Sequence, residues 1–323
     1  MDNYKKKLSF SNVTAQIITI GLLFLFWQMG QKWVVVPASI ILIFLLFFMP
    51  KIVARSEIRF HKKALKLLST GKAAEVLGLA RKQIILSVFG DSAPVDAKMG
   101  LAYAQIGNFY EASQYLENAI ASAPQSELIV LKTAYIKSLF VTGEPAKAEK
   151  ESKSIMDSFG IRLPEILIIR ARARLASGRR DEETKGFLDE AAQMSMSKDE
   201  ELMLKLTQIE FNMSIGKKAE DVPFDADSTQ LFLRVWKNMV LGIQRERKGD
   251  IEKALSAYVK AEKEGRDERC WFADIAHMRI EAISAKNAQN NNNSETADNK
   301  SDKGEVKIES QEDLLLKKRK KRR

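Results

Sequence analysis

One cysteine, Cys270, and two histidines, His61 and His277, are all that 323 residues offer of the side chains that most readily bridge, ligate or shuttle protons. A single cysteine excludes a disulfide within the chain. Followed by Trp271-Phe272, Cys270 reads as a small apolar packing residue rather than a reactive thiol. Neither histidine has a cysteine or carboxylate cluster at ligand spacing, so no metal site is expected. Thr70-Gly71-Lys72 resembles the end of a phosphate loop, but Lys66 stands where that loop needs its first glycine, and no strand precedes it. No Gly-x-Ser-x-Gly nucleophile elbow occurs. Asp181-Glu182-Glu183 follows Gly178 and reads as the acidic start of a helix rather than a catalytic pair. The chain is therefore expected to be no enzyme and to carry no cofactor.

Charge is missing from two windows, between Lys7 and Lys32 and between Lys32 and Lys51. Their apolar runs, 13–29 and 33–49, are near the lower length limit for crossing a bilayer core, and neither shows a polar face. Trp27 and Trp33 flank the connecting Gly30-Gln31-Lys32, and Pro37 falls near the start of the second run. A transmembrane helical hairpin over 13–50 is expected, after a basic N-terminus over 1–12. Lys5, Lys6 and Lys7 before it, and Lys51, Arg55, Arg59, Lys62 and Lys63 after it, place both chain ends on the cytoplasmic side of an inner membrane. A cleaved signal peptide fits the basic start but lacks a small-x-small cleavage site. A hairpin that dips in without crossing fits the short runs too.

Acid is missing from the last seven residues, Lys317, Lys318, Arg319, Lys320, Lys321, Arg322 and Arg323. The net charge is +10; without these it is 10 − 7 = +3, so the high isoelectric point reports a tail rather than a basic face. Residues 287–323 combine an Asn/Ser/Asp-rich stretch with this cluster and are expected to be disordered. Beside an anionic leaflet the cluster is a candidate lipid contact. Nucleic acid ranks lower, because no aromatic side chains are interleaved for base stacking.

What the sequence does contain is a period. Gly71, Gly107, Gly143, Gly178, Gly216 and Gly249 are spaced by 36, 36, 35, 38 and 33 residues, each after a helix-like apolar segment. Glycine closes one helix and turns the chain into the next, so the unit is helix–turn–helix. The clearest unit spans 93–126: Met99-Gly100, Tyr103, the turn Gly107-Asn108-Phe109, then Ala112, Ala119 and Pro124. Gly100 and Ala112 allow close approach of two helices, and Tyr103, Leu116 and Ile120 fill the space around them. A second unit carries Leu241-Gly242, the turn Gly249-Asp250, and Tyr258 and Ala261. The unit near Gly178 puts Arg170 and Arg174 at usually apolar places, and Pro223 breaks the second helix after Gly216. A closing helix is expected over 267–286.

These two units closely resemble tetratricopeptide repeats, although Asp96 stands where that family places its first Trp. The expected fold is thus all-α: a tetratricopeptide-like α-solenoid over 51–286 behind the hairpin. The resemblance implies a concave groove lined by first helices, with Ala97, Leu101, Thr133, Lys137, Phe140, Ile168, Arg172 and Leu175 as its candidate residues. Ala97 and Leu101 occupy places where some members use Lys and Asn to clamp a terminal carboxylate, so that specificity is not implied. The expected role is a membrane-anchored scaffold that binds other proteins. The alternative is a structural subunit of an inner-membrane envelope, secretion or motility complex. The layout also resembles a bacterial group linked to haem synthesis, but lacks that group's longer interhelical loop.

Overall fold

The computed structural model describes residues 21, 24, 27, 28, 37, 48–83, 86, 90–218, 220–223, 228–267 and 269–296. Among them the chain forms twelve helices and no strand: α1 Met49–Ser69, α2 Ala73–Arg81, α3 Ala93–Ile106, α4 Phe109–Ile120, α5 Gln125–Val141, α6 Pro145–Phe159, α7 Pro164–Ala176, α8 Glu182–Ala192, α9 Lys198–Ser214, α10 Leu231–Arg247, α11 Ile251–Gly265 and α12 Trp271–Thr296. They fall into two compact units, Met1–Thr142 with Ser154–Gly160, and Gly143–Lys153 with Ile161–Arg323.

In the first unit each helix packs on the next from α1 to α5, and α1, α3 and α5 also touch along an alternate row, except that α2 meets α3 across residues 82–92. α1 shows why. Its Val53, Phe60 and Ala64 fall on one stripe and are buried with Ala73, Val76 and Ala80 of α2 and Ala102 of α3. Neither helix of such a pair can bury its apolar stripe alone; packing on neighbours does it. In the second unit the same habit joins α7 to α8 and α9, α9 to α10, and α10 to α11 and α12. Consecutive helix-on-helix packing of this kind is compatible with a helical-repeat solenoid.

The glycine period marks the turns. All six glycines have positive φ, between 74° and 98°. At Gly107 the φ of 98° lets its N–H donate to the Tyr103 and Ala104 carbonyls, while Asn108 N–H donates to Tyr103. This satisfies carbonyls that the end of α3 would leave bare. Asn108 then caps α4, its side chain accepting from Glu111 N–H. Two further glycines serve close approach: a Cβ on Gly100 would lie 2.6 Å from Leu116 Cγ, and one on Gly242 would run into the Tyr258 ring.

The closing helix differs from expectation at both ends. The closing helix α12 begins at Trp271 and continues to Thr296, ten residues past the expected end. The Asn-rich stretch from 287 to 296 thus prolongs a helix already nucleated by packing of Phe272, Ile275 and Ile283. Between α9 and α10 the described residues, 215–218, 220–223 and 228–230, form no helix, in keeping with Pro223. Gln244 of α10 holds this segment by donating to the Glu220 carbonyl and accepting from Val222 N–H.

The multi-pass inner-membrane placement does not stand. Among the described residues no helix is long and apolar enough to cross a membrane. α1 has the length, at 21 residues, but carries Lys51, Arg55, Arg59, Lys62, Lys63 and Lys66, and its apolar stripe is spent on α2 and α3. Most of the expected hairpin at 13–50 lies outside the described residues, as does the basic cluster 317–323 with its lipid contact.

Candidate functional site

The expected groove residues fall into two groups, treated unit by unit. In the first unit Ala97 and Phe140 are buried, whereas Leu101, Thr133 and Lys137 are half-buried. Ala97 belongs to the interior of α3, and Phe140 has no accessible surface at all. Thr133 spends its hydroxyl on the Ile129 carbonyl, 2.8 Å away. Of the expected groove residues in this unit, Leu101, Thr133 and Lys137 therefore keep part of their surface accessible. Beside them sits an ion pair the sequence reading missed. Lys98, 3% exposed, donates to Glu127 Oε2 at 3.0 Å, with His61 Nδ1 4.0 Å from the other oxygen. Burial, and then Lys98, hold the His61 imidazole below its ordinary pKa, against the pull of Glu127.

In the second unit Ile168, Arg172 and Leu175 are all buried on α7. Arg172 meets an internal acid instead of a peptide. Its Nε lies 2.7 Å from Glu210 Oε2 of α9, and its guanidinium sits 5.0 Å from the Trp271 ring centre on α12. Trp236 Nε1 of α10 donates to the same Glu210 oxygen at 3.0 Å, and its ring stacks on Phe272 at 4.8 Å. One buried charge pair thus ties four helices together. Burial raises the Glu210 carboxyl above its ordinary pKa, while Arg172 and Trp236 pull it back.

Arg170 and Arg174, the two residues that break the repeat pattern, are explained by α8. Arg174 Nε donates to Thr184 Oγ1 at 2.9 Å, and its Nη2 reaches Asp181 at 2.6 Å and Glu183 at 2.8 Å. Arg170 Nη2 meets Glu183 at 3.3 Å, with its guanidinium 4.4 Å above the Phe187 ring centre. Glu149, at the start of α6, pairs with Arg174 and Arg179. Asp181 also caps α8, accepting from Thr184 N–H. The acidic run after Gly178 therefore starts a helix, as its position implied, and neutralises an arginine face as well. The apolar pattern of the repeat gave no sign of these pairings, but Arg170 and Arg174, one helical turn apart and followed by the acidic run 181–183, were a visible cue.

Other chemistry is sparse among the described residues. No group of three His, Cys, Asp or Glu side chains could hold a metal. Cys270 is buried, as its apolar neighbours implied. A cavity of about 240 Å³ at α8 and α9 is lined by Lys185, Leu188, Asp189, Lys205, Gln208, Ile209, Phe211, Asn212 and Glu220. Its cations and acids are mixed, without a preference of sign. Compared with known protein families, curated proteins and solved structures, the chain matches none.

Proposed function

We propose that this chain is a non-catalytic scaffold of tetratricopeptide type that binds another protein on the face of its first helices. The observation that carries the reading is the repeat itself. Helix pairs succeed one another, and each of the six periodic glycines sits at a turn with positive φ. Gly100 against Leu116 and Gly242 against Tyr258 reproduce the close helix approach of the two best-matching units. An array of this type offers a broad, preformed surface rather than an enclosed reaction chamber. Leu101 and Lys137 give that surface in the first unit an apolar contact and a positive charge. A segment with an apolar side chain and a nearby acid is the complementary partner.

The test compares the full chain with a Leu101→Ser, Lys137→Glu variant in affinity purification from its own cells. Loss of specifically co-purifying proteins, with helicity and melting temperature kept, is expected. Unchanged recovery would remove these residues from the binding face. Arg172 is left untouched, because its substitution would strand Glu210 and confound binding with folding.

A further inference from the structure

The outward face of α1 is strongly basic. At 3.6 residues per turn, Lys51, Arg55, Arg59, Lys62, Lys63 and Lys66 share an arc of roughly 120° that runs about 22 Å along the axis. All six are exposed, and no acidic residue of α1 falls on that arc. Next to the arc, its centre turned by roughly 90°, runs a second line: Ala54, Ile58 and Leu65. Ile58 is 55% exposed and Leu65 44%. The core stripe Val53, Phe60 and Ala64 lies on the far side of the helix. Neighbouring helices bound the face. His61, one step round from Leu65, approaches Glu127 of α5, and on the opposite edge Ser56 donates to Gln83 just after α2.

We propose that this face of α1 is a docking surface for an acidic amphipathic helix of another protein. Charge complementarity requires an anionic partner, since six cations are presented with no acid among them. The apolar line decides what kind. Ala54, Ile58 and Leu65, at i, i+4 and i+11, form a seam that a second helix can follow. A helix seated on that seam brings one flank over Lys51, Arg55 and Lys62, so its apolar stripe and acidic flank are both used. A flat anionic bilayer touching the cations leaves the seam turned aside. An interfacial helix instead carries its cations around a large apolar face that is itself immersed, whereas here the other flank of the seam closes on α5. Nucleic acid would engage the cations but leave Ile58 and Leu65 without a partner. The exposed Ile52, in the first turn of α1, lies within the cationic arc and adds apolar contact at that end.

The probe is a labelled synthetic peptide of about three heptads, leucine at a and d and glutamate at e and g, its glutamates opposing self-association. Binding to the full chain is read by fluorescence anisotropy at low and at raised salt. Ile58→Ser with Leu65→Ser is expected to weaken binding about tenfold at either salt concentration. Arg55→Glu with Lys62→Glu is expected to weaken it about tenfold at low salt and less at high salt. All four sites are exposed, so melting temperatures should stay within a few degrees of the parent. Lys137→Glu should leave peptide affinity unchanged, so this surface and the first-helix groove fail or hold separately. Serine variants that bind as tightly as the parent would overturn the proposal, leaving charge alone. So would equal affinity for a lysine-flanked peptide, or dependence on the same residues for vesicles of phosphatidylserine and phosphatidylcholine or for duplex DNA while the peptide goes unbound.

Discussion

At Arg172 a guanidinium leaves water and receives one carboxylate, Glu210, and the face of one indole, Trp271. Removing either charge strands the other, so Glu210→Gln and Arg172→Met should each cost about 3–5 kcal/mol in urea unfolding. Replacing both with apolar residues of similar volume should cost much less, because the desolvation penalty goes with them. Single variants as stable as the parent would mean that the pair is hydrated in solution. The pH dependence carries a definite sign. Because burial raises the folded-state pKa of Glu210, the folded chain holds this proton more tightly than the unfolded chain. Above the ordinary glutamate value, about 4.3, its contribution therefore falls with rising pH until the raised folded value is passed. Glu210→Gln should flatten that slope. Asp181 works in the opposite direction. Hydrogen bonds from Thr184, and then Arg174, hold it below the carboxylate range, so its contribution is present above the ordinary value and lost as pH falls through the lowered one. Melting curves of Asp181→Asn across acidic pH read this directly.

Helices, turns and close approaches set the next scale. Gly100→Ala drives a Cβ into Leu116, and Gly242→Ala drives one into Tyr258; each should destabilise by about 1–3 kcal/mol through overpacking. Gly107→Ala meets open space but keeps a left-handed backbone, and should cost about 1–2 kcal/mol from conformation alone. Denaturation midpoints of the three variants separate the two causes, since only the first two should respond to shrinking the facing side chain. At the start of α9, Ser197 and Glu200 form a reciprocal cap, and Ser197→Ala should cost about 1 kcal/mol. Much of this layer was legible in the sequence. The glycine period depends on local spacing, which a linear reading captures; Gly100 was legible as a point of close approach, but its partner was read as Ala112, whereas a Cβ there meets Leu116. Pro223 marked a break for the same reason, since it cannot donate to a helical ladder, and the described residues beside it, 220–222, are not helical. The end of α12 was not legible. Asn-rich composition argues for disorder, and the preceding packed turns override it.

For the molecule as a whole, what escaped the sequence was long-range and charged. Lys98 with Glu127, Arg172 with Glu210, and Arg162 with Glu190 join residues far apart in the chain, and no periodicity encodes such partners. Three of the expected groove residues, Ile168, Arg172 and Leu175, are buried in the second unit. Arg172 was assigned to bind an acid and does so internally, while Ile168 and Leu175 fill α7's packing surface. Leu101, Thr133 and Lys137, on two helices that touch, keep partial exposure. The expected membrane placement rested on a stretch almost entirely before α1, and the first continuously described helix is instead an amphipathic, basic member of the first unit. The proposal that follows is a protein whose chemistry is contact: paired helices, internally neutralised arginines and a binding face on first helices.

A photo-crosslinking amino acid placed in turn at Leu101, Thr133 and Lys137, and at the exposed Val259 of α11 as reference, tests that claim most directly in living cells. The account predicts the same discrete protein adduct from the three first-helix positions and none of that adduct from Val259. No adduct at all three, or an identical adduct pattern at Val259, would contradict it.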